Sequence, residues 1–143
     1  FTHAEAPKLD VNDLADGDLA VFIRLGSDYK NNYYEYEVPL KLTPHGEYNY
    51  NNTEHQKIVW PAENMLNFRL QVLTDLKLER NRQKRSGENG VSFQTIYLGR
   101  DPDNESNTIR VKGNPSLSEV KTIMIGLRYV RNKLKSGEVC ARV

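Results

Sequence analysis

A single cysteine, Cys140, is all that the chain carries, which leaves it no internal disulfide and no cysteine-based zinc site. No basic or helix-terminal setting activates that thiol. It reads as a small apolar side chain, either exposed or turned toward a second packed layer. Long apolar runs are missing too, and nothing approaches the ~20 residues of a transmembrane helix. Charge of one sign is absent: 20 Lys and Arg against 19 Asp and Glu leave a net +1. That balance argues against partners gathered by bulk electrostatics, such as nucleic acid or an anionic membrane surface. Catalytic signatures are lacking as well, with no GxSxG, HExxH, P-loop or GxGxxG. The three histidines, His3, His45 and His55, lie in a polar N-terminal half with no nucleophile motif beside them. We therefore expect no enzyme, no catalytic residue, no cofactor and no metal.

What is present is alternation. In DLAVFIRLG, residues 18–26, Leu19, Val21, Ile23 and Leu25 share one face. After the turn SDYKNN, residues 33–42 set Tyr34, Tyr36, Val38, Leu40 and Leu42 against Glu35, Glu37 and Lys41, so the two segments form a hairpin. Pro39 lacks a backbone donor and places this strand at an edge or at a bulge. Further strands are expected at 91–99, 108–112 and 123–129, a short one at His55–Trp60, and others at 1–6 and 139–143. The period changes at WPAENMLNFRLQVLTDLKLERNRQKR, where Leu66, Leu70, Leu73 and Leu76 predict a helix around residues 62–82. Phe68 and Leu78 fit that stripe poorly, and an extended path over 66–78 stays open. The whole is read as mainly β: residues 1–143 make one soluble β-sandwich module, jelly-roll-like, with one helix. Its expected core is Leu19, Val21, Ile23, Tyr34, Tyr36, Val38, Leu40, Ile123, Ile125 and Leu127. Phe1 opens the chain and the alternation restarts at Val139, so the sequence reads as a fragment of a much larger protein.

Four features bear on function. The loop DPDNES, 101–106, alternates Asp101, Asp103 and Glu105 like calcium ligands, but Ser106 and Lys112 stand where an EF-hand needs Gly and Glu. It reads as a solvated turn. The basic run Lys77, Arg80, Arg82, Lys84 and Arg85 reads as a solvated helix end, favoured there by the backbone dipole. Glu35 and Glu37 are expected to line an exposed face and, with Arg82, Lys84 and Arg85, to offer an interaction surface. Tyr29, Tyr33 and Trp60 could form an exposed platform for stacking on sugar rings.

The runs VFIRLGSDYKNNYYEYEVPLKLTP, IVWPAENM, LTDLK and above all VKGNPSLSEVKTIMIGLR followed by GEVCARV resemble the SprA/Sov family. These are the gliding-motility and type IX secretion translocon proteins of Bacteroidetes. The resemblance implies a very long outer-membrane chain that forms a large β-barrel for folded cargo, with soluble modules inserted between barrel strands. It implies no catalytic motif. Under it, this chain is a structural module that caps, gates or docks at the pore. Its implied partners are the translocon barrel, type IX components and secreted cargo, with no nucleic acid and no membrane insertion of its own. The implied place is the outer membrane, on the extracellular rather than the periplasmic side. The alternative is a carbohydrate-binding sandwich module of a cell-surface protein, which rests mainly on fold analogy.

Overall fold

Alternating apolar residues need a partner layer, and the fold supplies one by laying a helix across half of a sheet. The computed structural model describes residues 14–130. Cys140 and the strands expected at 1–6 and 139–143 lie outside the described residues. Strands β1 (Leu19–Gly26), β2 (Tyr33–Pro39), β3 (Tyr97–Asp101), β4 (Asn104–Lys112) and β5 (Thr122–Tyr129) form one sheet, ordered β3-β4-β2-β1-β5. Every neighbouring pair is antiparallel. Helix α1 (Thr53–Val59) and helix α2 (Gln71–Arg85) lie between β2 and β3 in sequence. The mainly β class is borne out. A single antiparallel sheet backed by α2 is consistent with a sandwich-like module.

The first hairpin forms as the alternation predicts, with Val21 opposite Val38 and Ile23 opposite Tyr36. Its turn is organised by Asp28, whose carboxylate accepts from the backbone N–H groups of Lys30, Asn31 and Asn32 and from the Asn32 side chain. The Asn31 N–H, then the Asn32 side chain, hold the Asp28 carboxyl down at about 2. Pro39 does not mark an edge strand: β2 is flanked by β1 and β4. The pairing with β4 ends at Glu37, so the missing N–H of Pro39 interrupts no ladder bond there.

Residues 55–59 are helical rather than extended, and Trp60 is the C-cap of that helix. Asn52 caps α1, its side chain accepting from the N–H groups of Glu54 and His55. The helix expected over 62–82 begins later. A 3-10 turn at Ala62–Asn64 is followed by a non-helical stretch, and α2 runs from Gln71 to Arg85. Residues 66–69 are non-helical, but the extended path over 66–78 fails from Gln71 onward, where α2 begins. Phe68 stacks on Tyr36 at 3.9 Å between centroids and 9° between planes. Strand β3 starts six residues later than the run at 91–99 implied. Strand β4 begins at Asn104, four residues before the expected start.

Tyr34, Tyr36, Val38, Leu25, Ile109 and Val111 pack against Val72 and Leu73 of α2 to form the core. Tyr36 also donates to the buried carboxylate of Asp101 at 2.6 Å and accepts from Asn107, which ties β2 to the β3–β4 hairpin. Val21 and Ile23 are half-buried against this cluster, and Leu19 and Leu40 are only partly covered. The expectation of core positions on β5 fails: Ile123, Ile125 and Leu127 are 61%, 65% and 48% exposed. They alternate on the correct face, but among the described residues β5 lies at the edge of the sheet, and α2 packs on β2, β3 and β4.

Gly113 follows β4 with φ +71°, and a Cβ there would collide with the Asn31 carbonyl and stand 2.9 Å from Asn32 Cγ. Gly113→Ala is expected to cost about 2–4 kcal/mol from the φ penalty and the clash together. Gly87→Ala, at φ +82° in open space, should cost only ~1 kcal/mol. Denaturant midpoints of the two variants check this, and equal losses would contradict it.

Candidate functional site

The face of the sheet opposite α2 carries charge, and its spacing follows from the strand register. Arg24 on β1 lies directly opposite Glu35 on β2, and Glu35 lies directly opposite Arg110 on β4. Opposite charges in register across an antiparallel ladder are within side-chain reach. Glu35 Oε1 accepts from Arg24 Nη2 at 2.7 Å and from Arg128 Nη2 at 2.9 Å. Its Oε2 accepts from Arg110 Nη1 at 3.0 Å and from Arg128 Nη1 at 2.9 Å. Arg128, on β5, also donates to Glu37 at 2.5 Å. Aromatic rings flank the guanidinium groups: Arg24 sits 4.0 Å from the Tyr33 centroid, and Arg128 4.4 Å from that of Phe22. Gly126 gives the Phe22 ring its room, since a Cβ there would stand 2.6 Å from the ring tip.

Glu35 is 0% exposed and Glu37 5%, so the expectation that they line an open face is overturned. Alternation correctly put them opposite the core, but three arginines fold over that face and bury it. Burial alone pushes the Glu35 carboxyl up; hydrogen bonds from Arg128 and Arg24, with the charges of Arg128 and Arg110, outweigh it and leave it at about 2. Burial likewise pulls Arg128 down, and its bonds and charge pairing with Glu35 and Glu37 raise it instead. Glu35 is therefore a carboxylate at neutral pH, held by the guanidinium groups of Arg24, Arg110 and Arg128. The cluster is a clamp.

The basic helix end divides. Arg82, Lys84 and Arg85 are exposed, as expected of an interaction surface, with Arg82 paired to Glu79. Arg80 is not solvated: it is 0% exposed, donates to Asn81 and lies 4.7 Å from the Phe93 ring. Lys77 is half-buried and donates to the Pro115 carbonyl at 2.7 Å. The loop at 101–106 is a tight hairpin turn. Asp101 is buried as the acceptor of Tyr36, and Asp103 forms a two-bond pair with Arg69. Among the described residues no group of three or more His, Cys, Asp or Glu could hold a metal ion.

The three aromatic residues of the alternative platform are not brought together. Tyr29 is exposed in the β1–β2 turn, and Tyr33 is buried beneath Arg24. Trp60, 56% exposed, instead lines a cavity of about 220 Å³ with Tyr48, Tyr50, His55, Gln56 and Val59. Sequence reading missed Arg24, Arg110 and Arg128, although Arg24 and Glu35 flank the hairpin turn in register. It also missed Tyr48 and Tyr50, whose polar loop gave no periodic signal.

With this geometry in view, comparison with known proteins is informative. Residues 1–142 match SprA_N, the family described as motility related/secretion protein. The chain belongs to this family. It is a motility and secretion family rather than an enzyme family, in keeping with a site built for clamping. No curated protein matches the chain. As a SprA_N module it is associated with the cell envelope, and no helix among its described residues is long and apolar enough to cross a membrane.

Because the Glu35 carboxyl is depressed from 4.5 to about 2, its contribution to stability is complete above pH about 4.5 and is lost as pH falls toward 2. Glu35→Gln should lower stability at pH 7 by about 3–5 kcal/mol, since it leaves three guanidinium groups without their shared anion. It should also flatten the stability curve between pH 4.5 and 2. Urea titrations of both proteins across that range check the sign and the window.

Proposed function

We infer that this SprA_N module is a non-enzymatic structural part of a type IX secretion translocon, which caps or gates the pore or docks its partners. The family match over residues 1–142 carries the reading. The clamped sheet supports it, because a module that must hold its shape beside passing cargo gains from ion pairs that join four strands. A barrel wide enough for folded proteins leaks unless soluble elements obstruct it, and an inserted module is such an element. We place it on the extracellular side, where outer-membrane barrels carry their longer loops. The exposed basic end of α2, with Arg82, Lys84 and Arg85, is the docking surface in this reading. Its partners there are acidic surfaces of the barrel, of other type IX components or of cargo.

In-frame excision of residues 1–143 should impair type IX cargo export or raise outer-membrane permeability. Reversing Arg82, Lys84 and Arg85 to Glu should reproduce the export defect while the module stays folded. Surface pairs such as Arg82–Glu79 are worth only ~0–1 kcal/mol. Normal export, gliding and impermeability after excision, with the barrel assembled, would refute the reading.

A further inference from the structure

Helix α2 stops at Arg85, and the loop SGENG, residues 86–90, follows it fully exposed. Asn89-Gly90 in this loop is the sole Asn-Gly pair of the chain. The two residues sit at the centre of a turn that the Val91 N–H closes on the Glu88 carbonyl at 3.4 Å, a long bond. Gly90 takes φ +83° while Asn89 keeps a negative φ, the type II pattern, whose third position calls for glycine. A Cβ built on Gly90 would meet nothing within 4 Å. Among the described residues, nothing bonds the Gly90 N–H or the Asn89 carboxamide. By contrast, Asn32, Asn52, Asn64 and Asn107 hold structural hydrogen bonds, and each is followed by a residue with a side chain.

We propose that Asn89 is a site of spontaneous covalent modification, converted by water to aspartate and isoaspartate. The Gly90 nitrogen attacks Asn89 Cγ: the N–Cγ bond forms, the Cγ–Nδ2 bond breaks, and the Gly90 amide proton leaves with the ammonia. The product is a five-membered succinimide ring. Water then opens the ring at either carbonyl. Attack at Cγ restores the main chain with aspartate at position 89. Attack at the main-chain carbonyl carbon leaves the chain running through the side chain, as isoaspartate. At a ψ of about +120°, the ordinary value for the second position of a type II turn, the Gly90 nitrogen faces away from Cγ, so the peptide plane must rotate. Two bonds restrain that rotation, the long one from Val91 and one from the Thr95 hydroxyl to the Gly90 carbonyl at 3.2 Å. Glycine after the asparagine eases both steps, because it rotates freely and has no Cβ to crowd the attacking nitrogen. Each conversion replaces a neutral amide by a carboxylate and lowers the net charge of +1 by one. The Glu88 N–H bonds back to the Gln83 carbonyl, so the new charge stands in the loop that returns to the basic end of α2. The site stands independently of the translocon reading.

The 143-residue chain is incubated folded in mildly alkaline buffer, and peptide mapping by mass spectrometry follows every asparagine. Asn89 is expected to convert faster than any other asparagine, with the mass gain of amide-to-acid conversion, a separately eluting isoaspartate peptide and release of ammonia. Its rate should rise with pH, since the nitrogen attacks in its deprotonated form. Gly90→Ala should slow the conversion at least ~tenfold. Asn89→Gln should abolish it at this position, because attack on the longer side chain no longer closes a five-membered ring. Circular dichroism checks that both variants fold. A free peptide of residues 86–93 gives the rate without the fold, and the folded chain should stay within ~a hundredfold of it, because a lightly held loop opens at little cost. Overturning results are protection of Asn89 beyond that factor, another asparagine converting first, or a Gly90→Ala chain that converts as fast as the parent.

Discussion

The carboxylate of Glu35 is the point on which four of the five strands converge. It lies on β2, accepts from Arg24 on β1, Arg110 on β4 and Arg128 on β5, and has no exposed surface. A buried anion is costly unless cations and hydrogen bonds compensate it, and here five bonds do so. The arrangement is reciprocal. Without Glu35 and Glu37, three guanidinium groups would crowd one face of a sheet; without the arginines, neither carboxylate could be buried.

This clamp complements the packing on the other face. Helix α2 and Phe68 cover β2, β3 and β4, and hydrophobic burial holds that half of the sheet. Strand β5 lies beyond the helix, with Ile123, Ile125 and Leu127 largely exposed. It is attached through its ladder with β1 and through Arg128, which crosses β1 to reach Glu35 and Glu37. One half of the sheet is held mainly by apolar contact, the other mainly by charge.

Much of this was legible in the residues. Period-two alternation gave β1, β2 and β5 and the sides on which Tyr36 and Glu35 lie, because side-chain direction in a strand is set locally. What lay on each side was not legible. Covering a face is a tertiary matter, so Ile125 was read as core and Glu35 as surface, and both readings inverted. Short elements suffered from weak local signals: Asn52 caps a seven-residue helix where Ile58 and Val59 had looked like strand. Asn49, Tyr50 and Asn51 showed no period, so the cavity around Trp60 was invisible, although Trp60 itself stood out as an aromatic of interest. Family-like runs such as GNPSLSEVKTIMIG carried the functional context, which composition and spacing alone did not supply.

The central claim is that Arg128, through Glu35 and Glu37, holds β5 to a sheet whose other half is held by the helix. Residue-resolved hydrogen exchange of Arg128→Met at neutral pH tests it most directly. Amides of Thr122–Tyr129 that bond to β1 should exchange at least ~tenfold faster than in the parent protein, while those joining β3 and β4 keep their protection. Unchanged protection in β5, or an equal loss across all five strands, would contradict the account.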